Sequence, residues 1–152
     1  HVLRGEKGFI IVGQETDGTV TPHDLAMSWI VSDKKPDFIG KRALARHSMK
    51  AGDRKQLVGL KTKDPKQVIP EGAHATLDPN QPPPVEMLGH VTSSYFSPNL
   101  GHSVAMALLR GGHARMGQTV YFPMLDSSPP IEATITDTSF YDPKGERLNG
   151  KL

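Results

Sequence analysis

The pattern of apolar and polar residues changes near residue 52. From there onward, apolar residues form short runs separated by turn residues, as at 56–61 and 103–109. In the segment 131–136 they alternate with polar residues, which is typical of a strand with one buried face. About six such strands at regular spacing predict a small antiparallel β-barrel or sandwich over residues 53–152.

Residues 1–52 have a mixed pattern. A helix is expected to end near Gly8, followed by a short apolar run at 9–12 that is strand-like or buried. Thr21 is a typical residue to precede a helix. The dense apolar run at 25–31 then predicts a short helix that leads into a strand.

A further helix is expected between Asp37, as its N-cap, and Gly52, as its C-terminal stop. Its predicted apolar stripe consists of Phe38, Ile39 and Leu44. Residues 1–52 are therefore predicted to form an α+β segment that precedes the barrel. Because the chain begins with His1 rather than a starting methionine, we expect it to be a piece of a longer protein.

Composition excludes several classes of site. The 152 residues include no cysteine, so disulfides and thiolate metal sites are excluded. No apolar run approaches the roughly 20 residues of a membrane-spanning helix, and we expect no membrane partner. The segment 33–61 holds nine basic and three acidic residues, which indicates either an anion-binding face or an ordinary solvated surface. Nucleic-acid binding is not favoured, because aromatic residues for base stacking make up only 6% of the chain.

Few residues stand out as chemical groups. The seven histidines do not have metal-ligand spacing, and no G-x-S-x-G motif is present. We expect Ser93, Ser94 and Ser97 to serve a turn rather than to act as nucleophiles. Glu6 lies at an element end, where a carboxylate can accept two parallel hydrogen bonds from a heterocycle such as a pterin or guanine. The alternative for Glu6 is an exposed glutamate beside Lys7.

Several short motifs nevertheless resemble a known family, that of the folate-binding aminomethyltransferases, which includes the glycine-cleavage T-protein. The motifs lie along nearly the whole chain: Leu3-Arg4-x-Glu6-Lys7-Gly8, Gly13-Gln14-x-x-Asp17-Gly18-x-x-Thr21-Pro22, Trp29, Lys35-Pro36-Asp37-Phe38-Ile39-Gly40-Lys41, Gly89-His90-Val91-Thr92-Ser93 and Ser97-Pro98-Asn99-Leu100. The amino-acid sequence at residues 13–22 and 34–38 most resembles that of the subfamily of sarcosine oxidase alpha subunits. The resemblance implies that residues 1–52 are the end of the folate-binding α+β domain and residues 53–152 the C-terminal barrel.

The resemblance also implies a ligand, tetrahydrofolate, and two residues that contact it. The family's pterin-binding glutamate corresponds to Glu6, and a cation that helps hold the folate corresponds to Lys35. An arginine is usual at that second position, and lysine cannot make the same two-pronged contact. The catalytic aspartate of the family lies outside this chain, so we expect the fragment alone to be inactive.

In a whole sarcosine oxidase, the folate region would capture the one-carbon unit removed from sarcosine as 5,10-methylenetetrahydrofolate. Flavin and NAD would bind to other domains or subunits, and the partners would be the rest of the alpha chain and the other subunits, in the cytoplasm. Two alternatives stay open. One is a fragment of a T-protein or of a dimethylglycine dehydrogenase, and the other is a barrel that only packs against a neighbouring subunit.

Overall fold

A six-stranded antiparallel sheet forms the body of the molecule. In this computed structural model, which describes residues 1–126 and 128–151, its strands are β1 (Lys55–Thr62), β2 (His74–Ala75), β3 (Gly89–Ser97), β4 (His102–Arg110), β5 (Thr119–Phe122) and β6 (Ile131–Thr136). The short helices are α1 (Val2–Glu6), α2 (Lys41–Leu44) and α3 (His47–Lys50), with 3₁₀ turns at Ser28–Ile30 and Gly112–Arg115.

The sheet curls into a nearly closed barrel. Its strands lie in the order β2-β3-β4-β1-β6-β5, and the two ends of the sheet meet at Thr76 and Tyr121. There each backbone N–H donates to the other residue's carbonyl, at 2.8 and 2.9 Å. This bridge joins the two edges of the sheet, which would otherwise both be open at this point. The predicted antiparallel barrel is therefore confirmed.

Strand β4 is buried on both faces, which explains its continuous apolar sequence. Ala105, Ala107 and Leu109 point into the barrel core, whereas Met106 and Leu108 lie on the outer face. The outer face is covered by side chains from residues 1–52 and from the C-terminal segment: Ile10, Val20, Leu25 and Phe140. Successive side chains of a strand point to opposite faces, so a strand covered on both sides has no polar positions to alternate.

Several sequence-based expectations for residues 1–52 are wrong. The run 9–12 is not a buried strand, since Phe9 is 63% exposed and Val12 is 86% exposed. The segment 25–31 contains no strand, and Trp29 on its 3₁₀ turn is 79% exposed. Glycine and proline interrupt this region so often that no element is long enough to bury one continuous face.

The helix predicted after Asp37 is also different. Asp37 does not cap a helix, because its carboxylate accepts from the adjacent Phe38 N–H. Helix α2 begins after Gly40, which adopts a left-handed φ of 96° and leaves Ile39 in solvent. Two helices of four residues each, α2 and α3, replace the single predicted helix and form no continuous apolar stripe.

Residues on either side of position 52 are in close contact. Leu57 N–H donates to the Asp24 carbonyl at 2.7 Å, and the Glu6 carbonyl accepts from Phe140 and Tyr141, both at 2.9 Å. The division of the chain into domains at 1–52 and 53–152 stays a prediction. Among the helices of the described residues, none is long and apolar enough to cross a membrane.

Candidate functional site

Glu6 lies at the C-terminal end of α1 and is buried, with only 2% of its surface exposed. The turn that leads away from this helix is tight. Gly8 adopts a φ of 72°, and a Cβ at that position would lie 2.6 Å from the Thr138 carbonyl oxygen. This close approach holds the end of α1 against the segment that follows β6, and so fixes the position from which Glu6 extends.

The carboxylate of Glu6 is bound by the turn between β3 and β4. Ser97 Oγ donates to Oε1 at 2.5 Å, and Asn99 Nδ2 lies 3.2 Å from Oε1 and 2.9 Å from Oε2. Leu100 N–H donates to Ser97 Oγ at 3.1 Å, so the serine proton is free to point at the carboxylate. Ser97 is fully buried, whereas Asn99 is exposed and lies over the carboxylate.

Only uncharged donors serve this carboxylate. Within residues 1–126 and 128–151, Glu6 forms no ion pair with a lysine, arginine or histidine. A buried carboxylate is costly unless it is paired or fully hydrogen-bonded. Two oxygens offer about four acceptor positions, of which three are used. Oε2 therefore retains capacity for a further N–H donor.

A second buried carboxylate, that of Glu15 in the N-terminal segment, is also bound by a serine of β3, but it has a cation as well. Arg4 Nη1 lies 3.2 Å from Oε2, the Ile11 N–H donates to the same oxygen at 2.7 Å, and Ser93 Oγ donates to Oε1. Burial alone would raise the pKa of Glu15, but the hydrogen bonds from Ser93 and Ile11 and the charge of Arg4 together lower it. Glu15 is thus held ionised as a structural contact.

A third acid, Asp24, joins the N-terminal segment to the start of β1. Arg54 Nη2 lies 2.7 Å from Oδ2, and its Nε lies 3.0 Å from Oδ1. Thr21 donates to Oδ2 through its backbone N–H and its hydroxyl. Burial opposes ionisation, yet these donors outweigh it and lower the pKa of Asp24.

Lys35, the other predicted ligand residue, is exposed on the loop before α2, and its backbone carbonyl accepts from Lys41 Nζ at 2.8 Å. A cavity of about 440 Å³ lies beside exposed Trp29. It is lined by the segments 8–10 and 25–29 and by Asp137 and Thr138, and includes neither Glu6 nor Lys35. Neither predicted ligand residue lines this cavity, and the ligand roles of Glu6 and Lys35 stay predictions.

Sequence reasoning missed what the serines contact. Ser93 and Ser97 belong to β3 rather than to a turn, and each donates to a buried glutamate. Ser94 lies in the same strand, and its hydroxyl has no hydrogen-bond partner among the described residues. The sequence offered serines in a strand-like segment and two acids, Glu6 and Glu15, in the N-terminal motifs, but no signal that paired them. No group of three potential metal-ligating side chains occurs in the described part of the chain.

The arrangement of the barrel agrees with a known family. The sequence profile of the glycine cleavage T-protein C-terminal barrel domain matches residues 55–142. The chain belongs to this family. The T-protein barrel thus accounts for all six strands, and residues 1–54 lie outside the matched region.

Relatives of the T-protein barrel family extend the likeness to almost the whole chain. The sarcosine oxidase subunit alpha of Corynebacterium sp. (strain P-1) is 43% identical over 152 residues, covering 99% of this chain. The aminomethyltransferase of Herpetosiphon aurantiacus is 34% identical over 141 residues, or 91% of this chain. The crystal structure of glycine cleavage system aminomethyltransferase T from Bartonella henselae superposes with a TM-score of 0.76, at 26% identity and 93% coverage.

These relatives are longer proteins. The chain spans 15% of the sarcosine oxidase subunit, 36% of the Herpetosiphon enzyme and 37% of the Bartonella chain. The similarity includes residues before position 55, where Glu6 lies.

Proposed function

We propose that this chain is the C-terminal part of a sarcosine oxidase alpha subunit and contributes Glu6 to a tetrahydrofolate site. The observation that supports the proposal most directly is the buried Glu6 carboxylate, which has neutral donors and no cation among the described residues. The 43% identity to a sarcosine oxidase subunit alpha supports the choice within the family.

The chemistry of Glu6 fits the proposed ligand. A reduced pterin presents an N–H and an amino group side by side, and a carboxylate matches such a pair with its two oxygens. An ionised acceptor makes stronger hydrogen bonds than a neutral one, particularly away from water. Lys35 would supply a single cation for the carboxylate tail of the folate. Tetrahydrofolate, when bound, accepts the one-carbon unit as 5,10-methylenetetrahydrofolate.

In this proposal the rest of the pocket comes from other parts of the longer polypeptide, and flavin and NAD bind to other domains or subunits. The proposal is supported by the apolar side chains that residues 1–52 expose. They are Leu3, Phe9, Val12, Trp29, Ile30 and Ile39, each at least half exposed. Large apolar patches on a protein surface commonly mark interfaces. A cytoplasmic location also belongs to the proposal.

Titration of the full-length polypeptide with tetrahydrofolate tests this function. Glu6→Gln removes the charge but keeps the shape, and we expect the dissociation constant to rise by about tenfold or more. Glu71→Gln is a suitable control, because Glu71 is an exposed carboxylate on the barrel. Equal affinity of the wild type and Glu6→Gln would contradict the role of Glu6.

The likeness to aminomethyltransferases supports a second function, that of a T-protein type enzyme using the same folate site. The amine substrate distinguishes the two. Consumption of sarcosine with oxidation, by the full-length protein and its partner subunits, is expected under the first proposal only. A barrel that serves only for subunit packing would bind no folate in either assay.

A further inference from the structure

The position of Asn99 raises a question about access to Glu6. Glu6 is only 2% exposed, whereas Asn99, which bonds to both oxygens of its carboxylate, is exposed. A ligand that approaches from solvent therefore meets the amide of Asn99 before it reaches the carboxylate. Ser97 uses one of the carboxylate's about four acceptor positions and Asn99 uses two, so a ligand with two N–H donors needs at least one position that Asn99 holds.

We propose that Asn99 is an internal competitor that sets the affinity and specificity of the Glu6 site. This inference rests on the proposed folate function. When the ligand is absent, the amide satisfies a buried carboxylate that would otherwise lack donors on Oε2. When the ligand binds, the Asn99 side chain turns away into solvent, and the N–H and amino groups of the ligand take its place.

The surroundings of Asn99 allow this exchange. Asn99 lies in the four-residue turn that joins β3 to β4, and among the described residues its side chain is held only by Glu6. An amide that moves into water regains its hydrogen bonds there. The exchange thus costs little on the side of Asn99.

Ser97 has the opposite role, although it bonds to the same carboxylate. It is fully buried, and its hydroxyl also accepts from Leu100 N–H at 3.1 Å. A side chain fixed in this way cannot leave when a ligand arrives. Ser97 is therefore a positioning residue that remains bonded to Oε1 and orients the carboxylate plane toward the ligand.

Specificity follows from this competition. A ligand with a single donor can use the open position of Oε2, but it forms only one hydrogen bond with the carboxylate and leaves Asn99 in place. A ligand with two adjacent donors, such as the N–H and amino group of a 2-amino-4-oxo-pteridine, satisfies both oxygens with better geometry than one amide nitrogen. The site therefore favours heterocycles with a paired donor edge.

The test compares two variants of the full-length polypeptide in tetrahydrofolate titrations. Asn99→Ala removes the competitor, and we expect it to bind about three- to tenfold more tightly than the wild type. Ser97→Ala removes the positioning donor, and we expect it to bind about three- to tenfold more weakly. A merely structural role of both residues would shift the two affinities in the same direction.

Matched controls separate the possible failures. Asn80→Ala also removes an exposed asparagine side chain from a loop and should leave the affinity unchanged. Thermal melting identifies variants that do not fold, in which case Asn99→Ser replaces Asn99→Ala. If the wild type binds and Glu6→Gln does not, but Asn99→Ala binds with equal or lower affinity, this inference alone is overturned. If the wild type does not bind tetrahydrofolate, the proposed function and this inference are both overturned.

Discussion

Arg4 and Glu15 form an ion pair within the N-terminal segment, with 3.2 Å between Arg4 Nη1 and Glu15 Oε2. Glu15 is completely buried, and the Arg4 side chain is 14% exposed. Arg4 also donates to Ser93 Oγ and to Tyr95 OH on β3. One guanidinium therefore joins α1, the loop after it and the barrel, and the stability of the whole assembly should depend on the ionisation of Glu15.

Replacement of Glu15 by Gln is expected to lower the free energy of unfolding by about 3 kcal/mol at neutral pH, because Arg4 loses its buried partner. The pKa of Glu15 is lower in the folded chain than its ordinary value of 4.5. The stabilisation is therefore complete above that value and is lost as the pH falls through the lowered pKa. Urea unfolding between pH 7 and pH 3 measures both effects. If the unfolding free energies of the wild type and of Glu15→Gln changed with pH to the same extent, the stabilising role of ionised Glu15 would be contradicted.

The pair Arg54–Asp24 should contribute more to stability than an exposed pair. We expect Asp24→Asn to cost about 3 kcal/mol, because Arg54 and the donors of Thr21 lose a charged acceptor. The control is Lys63→Met on the barrel surface, where the Lys63 side chain is 73% exposed and pairs with Glu132 at 2.7 Å. That change should cost much less, because water screens an exposed pair. If chemical denaturation gave similar losses of unfolding free energy for Asp24→Asn and Lys63→Met, the prediction would be contradicted.

Gly59 on β1 has no room for a side chain. A Cβ there would lie 2.1 Å from the Asp137 carbonyl oxygen and 2.8 Å from the Phe140 ring. Gly59→Ala should therefore lower the unfolding free energy by more than about 2 kcal/mol, since backbone must move. Gly52→Ala is the control, because no atom lies within 4 Å of its added Cβ. Equal melting temperatures of the two variants would refute the close approach.

The outer face of β4 should contribute as a second core. Leu108 is 5% exposed and packs in the cluster with Leu57 and Met106. We expect Leu108→Ala to cost about 2–5 kcal/mol. Leu148→Ala serves as the comparison, because Leu148 is 83% exposed and its truncation should be nearly neutral. A neutral Leu108→Ala would mean that the N-terminal segment does not cover this face in solution.

The barrel was predictable because its strands carry local signals. The alternation of Ile131, Ala133 and Ile135 with polar neighbours corresponds to β6, in which all three side chains are buried. The ends of β4 were marked by turn residues on both sides, although its run showed no alternation. Hydrophobic periodicity depends only on neighbours in sequence, so it can identify short strands that have one buried face.

The candidate site could be predicted only in part. Glu6 was identified, yet its contacts with Ser97 and Asn99 join residues 91 and 93 positions apart in sequence. No local pattern encodes such a pairing. The run that contains the exposed Phe9 and Val12 was expected to be strand-like or buried, because apolar residues often are buried, and that rule does not identify the apolar residues that stay on the surface.

Side chains of the N-terminal segment, Ile10, Val20 and Leu25, cover the outer-face cluster of the barrel. This cover limits how the barrel can be inherited as a separate unit. The match to the barrel-domain profile begins at residue 55. A gene fusion joined at that point would transfer a barrel whose outer apolar face is uncovered. Recombination that preserves a covered barrel must also carry the codons for residues 10–54. The unit that evolution can move is therefore larger than the domain that the family profile delineates.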